Sequence, residues 1–324
     1  MGLSMPESAA IAIDLSAVVI AMESALPTVL TVKREGAPCA LPAGAFDPIA
    51  HRTFEQGLDD WVASQTGIAL GYREQLYTFG DRDRTQELPE PLAERHISIG
   101  YLGLTDTRPP PTDSAAGWRS AYDFFPWEDH RQGRPALIDM TIAPALKTWC
   151  EAAGAHAERE ARVQRARLAF ALDGFHWADT RVLERYELLF EAGLVVEARR
   201  ARDLPPDETA GRLGRAMVAD HRRILATALD RLRGKLRYRP VVFELLPARF
   251  TLSQLQLTVE AIIGFPVHKQ NFRRALDRTG LVAATGDVDT ATGGRPAERF
   301  RFERERWRQQ MAPGVQTPLS HSEY

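Results

Sequence analysis

Cysteine is nearly absent: Cys39 and Cys150 are the only two in 324 residues, far apart, with no CxxC pair and no Cys/His cluster. That excludes a disulfide framework and a structural zinc site, and it points to a reducing, cytoplasmic setting. No apolar run approaches the ~20 residues a bilayer-crossing helix needs, so no membrane partner is expected. The opening stretch "IAIDLSAVVIAM" has no basic region ahead of it and reads as a buried strand rather than a signal peptide. Internal repeats at solenoid periods are missing. So are a Gly-rich phosphate loop and a dinucleotide-binding glycine fingerprint. What is present is an ordinary globular composition, 44% hydrophobic and 26% charged, in a chain long enough for two or three domains.

Net charge is small overall but unevenly spread. Residues 235–308 hold 14 Lys/Arg against 8 Asp/Glu, a net of +6, so the rest of a chain of net charge −2 carries −8. A basic C-terminal module on an acidic body is the asymmetry expected of a protein that meets a polyanion with one domain.

Composition separates the chain into parts. Residues 1–127 alternate β-rich runs ("TVLTVKR", "HISIGYLGLT") with one clear helix and end in "TRPPPTDS" and "YDFFPWEDH". Residues 128–217 are helix-rich, with Trp177, Tyr186, Leu189 and Phe190 as candidate core, broken by Gly174 and Pro205–Pro206. A linker helix is expected over 218–235, a compact αβ module over 236–308, and a disordered tail over 309–324.

In the αβ module Thr251 and Gln254 form a capping box, and Leu252, Leu255, Val259, Ile262 and Ile263 repeat at helical spacing up to Gly264. After a short turn, "VHKQNFRRALDRTG" sets Phe272, Ala275, Leu276 and Thr279 on one side of a second helix. Lys269, Gln270, Arg273 and Arg274 occupy the other. "LVAAT" and "AERFRF" then frame the loop "GDVDTATGGRP". Helix, turn, basic helix, hairpin is the order of a winged helix-turn-helix. On that reading the basic face reads base edges and neutralises phosphates in double-stranded DNA. Arg295 sits on the wing, Thr251 and Ser253 at the first helix are further candidates, and Lys235 and Arg237 add backbone contacts. The bland alternative is a solvated surface helix.

"YRPVVFELLPARFTLSQLQLTVEAIIG", "KQNFRRALDRTGLV" and "GGRPAERFRF" together resemble the C-terminal domain of NrtR-type regulators, the Nudix-related repressors of NAD metabolism. "DHRRILATALDRLRGKL" resembles their linker helix, and the helical insert resembles the longer, NadQ-like subgroup. The resemblance implies an α+β fold: a degenerate Nudix α/β/α sandwich, a helical insert and a C-terminal winged helix-turn-helix. It implies a DNA-reading helix around Asn271, Arg273 and Arg274, a homodimer on a palindromic operator, and control of NAD-biosynthesis or salvage genes. No cofactor is required, but a nucleotide effector such as NAD, ADP-ribose or ATP is implied.

The resemblance sends attention to "LPAGAFDPIAHRTFEQGLDDWVASQTGIAL", which has the outline of a Nudix box, GX5EX7REUXEEXGU. Anchored on Gly67 and Ile68, the signature sets its Arg-Glu pair on Asp60 and Trp61 and its metal-binding Glu-Glu pair on Ser64 and Gln65. Neutral side chains cannot hold magnesium as two carboxylates do, so neither hydrolysis nor a metal site is expected. Glu55 and Asp59 remain as an acidic pair whose plain reading is a solvated helix face. The alternative is a divergent pyrophosphatase for ADP-ribose or a related nucleotide, with acids recruited from Glu55, Asp59 or Glu94. A third reading is a regulator that senses something unrelated to NAD. In a sensing site of the resembling kind, Lys33, Arg34, Arg82 and Arg84 would hold phosphates, and Phe46, Tyr77 or Phe79 would stack a ring.

Overall fold

The computed structural model describes residues 10–33, 36–81, 94–106, 115–289 and 296–310. β1 (Ala10–Glu23) turns tightly into β2 (Leu26–Val32), and β3 (Ala43–Ala45), α1 (Phe54–Thr66), β4 (Tyr72–Phe79), β5 (Glu94–Leu104) and β6 (Ala116–Ser120) follow. The strands form one mixed sheet in the order β4-β5-β1-β2-β6, with β3 paired to β1. β1 and β5 run parallel; the other pairings are antiparallel. Side-chain alternation divides the sheet between two layers. Leu15, Ala17 and Val19 face α1, while Val18 and Ile20 belong to the larger core on the opposite side.

The helices that follow are α2 (Ala121–Phe124), α3 (Ala143–Glu151), α4 (His156–Phe170), α5 (Val182–Glu191), α6 (Val196–Ala201), α7 (Glu208–Arg212) and α8 (His221–Lys235). Of these, α2 and α8 pack on that opposite side of the sheet and the others build outward from them. A π-helical turn, Ile138–Ile142, leads into α3. The stretch "VLERYELLFEAGLVVEARR" is two helices, with Gly193 at φ +72 between α5 and α6. The linker helix begins at His221, whose Nδ1 accepts from the Leu41 amide at 2.9 Å. Just ahead of it, Met217 is bridged to Cys39.

The C-terminal part contains β7 (Phe250–Thr251), α9 (Leu252–Ile263), α10 (Lys269–Thr279), β8 (Val282–Asp289), β9 (Ala297–Phe302) and α11 (Arg304–Gln310). β7 pairs with β9, making the wing hairpin a three-stranded sheet. Neither β7 nor α11 was legible in the pattern. The disordered tail expected over 309–324 starts inside α11, which runs to Gln310, and residues 311–324 lie outside the described residues.

One hydrophobic core runs from the sheet through Trp127, Phe170, Tyr186 and Leu189 to α8 and on to Val259, Ile262 and Phe272. The expected divisions at 127, 217 and 235 all cross it. Within it lies a charge cluster that the sequence did not advertise. Glu128, Arg185 and Arg233 are each 0% exposed. Arg185 donates to both Glu128 oxygens, at 2.5 and 2.8 Å, and Arg233 donates to one of them at 2.5 Å. Arg233 also donates to the Ile262 carbonyl at 2.8 Å, which secures the end of α9 to the linker helix. Burial pushes the Glu128 carboxyl up, but the two guanidiniums outweigh it and hold it below the usual carboxylate range. A second buried pair, Arg222 with Glu197 at 3.2 Å, fastens α8 to α6.

Candidate nucleic-acid interface and nucleotide-site residues

The Thr251 hydroxyl accepts from the Gln254 amide at 3.1 Å, and the Gln254 side chain accepts from the Thr251 amide at 2.8 Å. This capping box starts α9. Gly264 ends it at φ +77, where a Cβ would fall 2.1 Å from the Glu128 carbonyl oxygen. Only glycine fits there. The turn to α10 is braced from α9: Gln256 Nε2 donates to the Val267 carbonyl and the Val267 amide donates to Glu260 Oε1, both at 2.9 Å. The angle between the two helices is therefore held by side-chain bonds as well as by packing.

On α10, Phe272 and Leu276 are fully buried, whereas Lys269, Gln270, Asn271, Arg273, Arg274 and Arg278 are exposed. None of those cations forms an ion pair among the described residues. The helix thus presents uncommitted guanidinium and amide groups on a rigidly backed face, the arrangement that base-edge and phosphate contacts require. Arg278, one turn beyond Arg274, extends the strip and was not among the sequence candidates. Its position at i+4 was the signal available. Ser253 is exposed in the first turn of α9.

Three candidates do not join this face. Thr251 is buried and occupied by its cap. Lys235 bends back to the sheet, where it meets Glu74 and the Tyr72 hydroxyl, the latter at 3.2 Å. Arg237 is paired with Asp179. These two cations follow a helix packed on the sheet, and nearby carboxylates neutralise them first. Arg295 lies outside the described residues.

The degenerate box is built as its spacing predicts: Thr53 caps α1, and Gly67 closes it in the left-handed conformation. The residues at the signature's acidic positions serve local architecture. Gln65 accepts from the Ala43 amide at 3.1 Å and donates to the Ala43 carbonyl at 2.7 Å. Trp61 Nε1 donates to the Ala45 carbonyl at 2.9 Å, and its ring lies where a Cβ on Gly44 would be, 2.2 Å away. Ser64 donates to the Trp61 carbonyl at 3.1 Å. Glu55 and Asp59 lie on a largely solvated helix face, their side chains 59% and 38% exposed. Both face Arg73 on β4, at 3.6 and 3.4 Å, and burial raises the Asp59 carboxyl despite that guanidinium.

Of the ring-stacking candidates, Tyr77 and Phe79 meet edge to face at 5.4 Å, and Phe46 lies apart from them. Phe46 packs edge-on to Phe54 at 4.6 Å, on the α1 side of the sheet. Phe79 belongs to the opposite side, buried beneath Arg223, which lies 5.3 Å from its ring and is itself paired with Glu187, Asp220 and Asp81. Phe79 is a core residue with no free face to stack a ligand. Tyr77 is 61% exposed and Lys33 is exposed at the end of β2. Arg34, Arg82 and Arg84 lie outside the described residues.

The NrtR DNA-binding winged helix domain model matches residues 242–302. A curated protein of Acinetobacter baylyi, "ADPR responsive transcriptional repressor NtrR", is 38% identical over 86 residues, 26% of this chain and 34% of that protein. The match thus spans about a third of the relative's length. Shewanella oneidensis NrtR, solved with a 27mer DNA, superposes with a TM-score of 0.54 at 18% identity, over 94% of this chain and 97% of that one. A MutT/nudix family protein from Enterococcus faecalis gives 0.52 at 16%, over 93% and 90%. At such identity these likenesses speak to the fold.

Proposed function

From an NrtR-type DNA-binding winged helix domain at residues 242–302 and a fold shared with NrtR along the chain, we propose that this protein is a transcriptional repressor whose Nudix-like domain senses a nucleotide. The observation that carries the reading is the uncommitted basic face of α10, backed by the fully buried Phe272 and Leu276. Lys269, Gln270, Asn271, Arg273 and Arg274 contact the operator, with Ser253 and the wing residue Arg295 beside them. Two copies of the chain meet a palindromic site, since two-fold DNA matches a two-fold protein. The genes controlled are those of NAD biosynthesis or salvage.

ADP-ribose is the effector favoured over NAD and ATP, because the Acinetobacter relative is by name responsive to it. The effector acts by binding the DNA-competent and DNA-incompetent dimers with different affinity. Hydrolysis has little to support it: the positions that would hold magnesium carry Ser64 and Gln65, and Gln65 is bonded at both its amide atoms.

The test is Arg273→Ala with Arg274→Ala in the full chain. If each guanidinium contributes about 1–3 kcal/mol at a base or phosphate, operator affinity falls at least ~30-fold. A thermal shift with ADP-ribose should be unchanged, because both side chains lie outside the core. Operator binding retained at parental, salt-sensitive strength would overturn the assignment.

A further inference from the structure

The helical region 128–217 has no ligand in the reading above, yet it contains a concavity of about 930 Å³ between α3 and α4. Small-ligand sites span roughly 300–1,000 Å³. Its floor is apolar, formed by Leu146, Cys150, Val163 and Ala166. Burial raises the Cys150 thiol pKa, so this floor is neutral.

Two backbone irregularities meet at the rim. Asp139 lies on the π-helical turn Ile138–Ile142, a geometry that proteins use mostly at functional sites. Across the cavity, Ala171 takes φ 50° as the left-handed cap of α4, its amide donating to the Arg167 carbonyl, and Asp173 follows at φ 52°. The third feature is charge. Arg134 and Arg167 are neutralised by Asp139 at 3.0 Å and Asp173 at 2.6 Å. Lys147 and Arg159 also line the cavity but form no ion pair among the described residues, and Glu151 is the one lining carboxylate likewise unpaired. The uncommitted groups therefore leave a net positive charge above an apolar floor.

We propose that this cavity is a second ligand site, for an amphipathic monoanion whose apolar body rests on α3 and α4 and whose carboxylate is met by Lys147 and Arg159. Occupancy has a physical route to the DNA-binding module. The Ala169 carbonyl, on the same helix as the floor residue Ala166, accepts from Arg185 at 3.2 Å. Arg185 shares Glu128 with Arg233, which holds the end of α9. The proposal goes beyond the repressor reading and stands without it, because its test uses no DNA.

The probe is decanoate, with decanol as its uncharged counterpart, each competing against the fluorescent anion 1-anilinonaphthalene-8-sulfonate on the full chain. Decanoate should displace the dye saturably below ~1 mM and bind more tightly than decanol. Lys147→Ala with Arg159→Ala should weaken decanoate at least ~5-fold and leave decanol unchanged, as expected on losing about one charge-assisted contact. Both substituted side chains are exposed, and circular dichroism would verify the fold. Ala166→Leu fills the floor from a buried position and Val163→Phe from a half-buried one; either variant, folded, should remove both competitors. Equal binding of decanoate and decanol overturns the proposal, as does a smaller charge effect, or decanoate affinity unaffected in a folded occluding variant.

Discussion

Replacing Glu128 by Gln keeps the shape of the side chain and removes the charge that two buried guanidiniums share. Breaking a buried ion pair by deleting one partner costs about 3–5 kcal/mol, because the survivor stays desolvated without a countercharge. Here two survivors are left. Each keeps carbonyl acceptors: Ala169 and Ala178 for Arg185, Ile262 and Asp179 for Arg233. Those bonds solvate the cations in part, so the lower half of that range, about 3–4 kcal/mol, is the expectation. Against a total stability of about 5–15 kcal/mol this is a large fraction. With a urea slope of about 3 kcal/mol/M for a protein of this size, the unfolding midpoint should fall by about 1 M. The continuous core further predicts that tryptophan fluorescence and circular dichroism report one transition. The folded-state pKa of Glu128 is depressed, so its contribution is present above the ordinary carboxylate range and is lost as pH falls through the folded value. The variant should therefore lack that acid limb. A midpoint within ~0.3 M of the parent would refute the reasoning, since it would mean that buried arginines here need no countercharge.

Other consequences can be measured on the same material. Burial lowers the His130 pKa from 6.5 to about 4, so stability is full above pH 6.5 and falls as pH drops toward 4. Burial raises Asp230 from 3.8 to about 6, which favours the fold below pH 3.8 and withdraws that contribution as pH rises through 6. The two oppose one another between pH 4 and 6. His130→Phe should give stability that rises on acidification there, Asp230→Asn the reverse, each by roughly 3 kcal/mol at most; parallel urea-midpoint profiles for the two variants would refute the pairing. Gly264→Ala sets a methyl against the Glu128 carbonyl at a left-handed position, and should cost at least ~3 kcal/mol in urea unfolding; a loss below ~1 kcal/mol would mean that the turn can shift freely. Magnesium added with ADP-ribose should release no AMP, as followed by chromatography; release that depends on magnesium and vanishes in Glu55→Gln would reinstate the hydrolase.

The C-terminal module was legible because its signals are local. A capping box, a glycine stop and a 3.6-residue apolar repeat each act within a dozen residues, and α9 and α10 fall where they indicate. α1 and its Gly67 exit were readable for the same reason. What pattern could not give was the partnership of charges distant in sequence. Lys235 and Arg237 look like DNA-facing cations until the sheet brings Glu74 and the insert brings Asp179. Phe79 alternates correctly as a strand residue, but nothing local says that α8 covers it. Glu128, Arg185 and Arg233 read singly as surface residues, because their burial exists only when three elements meet. The ring and phosphate candidates rest on likeness to a site, and nothing local shows that Phe46 and Phe79 lie on opposite sides of the sheet.

The pegs in the degenerate box have a consequence for engineering. Installing glutamates at positions 64 and 65 would bring two mutually repelling carboxylates and, in the same stroke, remove the amide that clasps Ala43 from both sides. A glutamate at 65 could still accept from the Ala43 amide but could no longer donate to the Ala43 carbonyl, so one of the two bonds holding β3 would be lost. Placing acids at these two positions therefore also requires a new hold on the segment that Gln65 now secures.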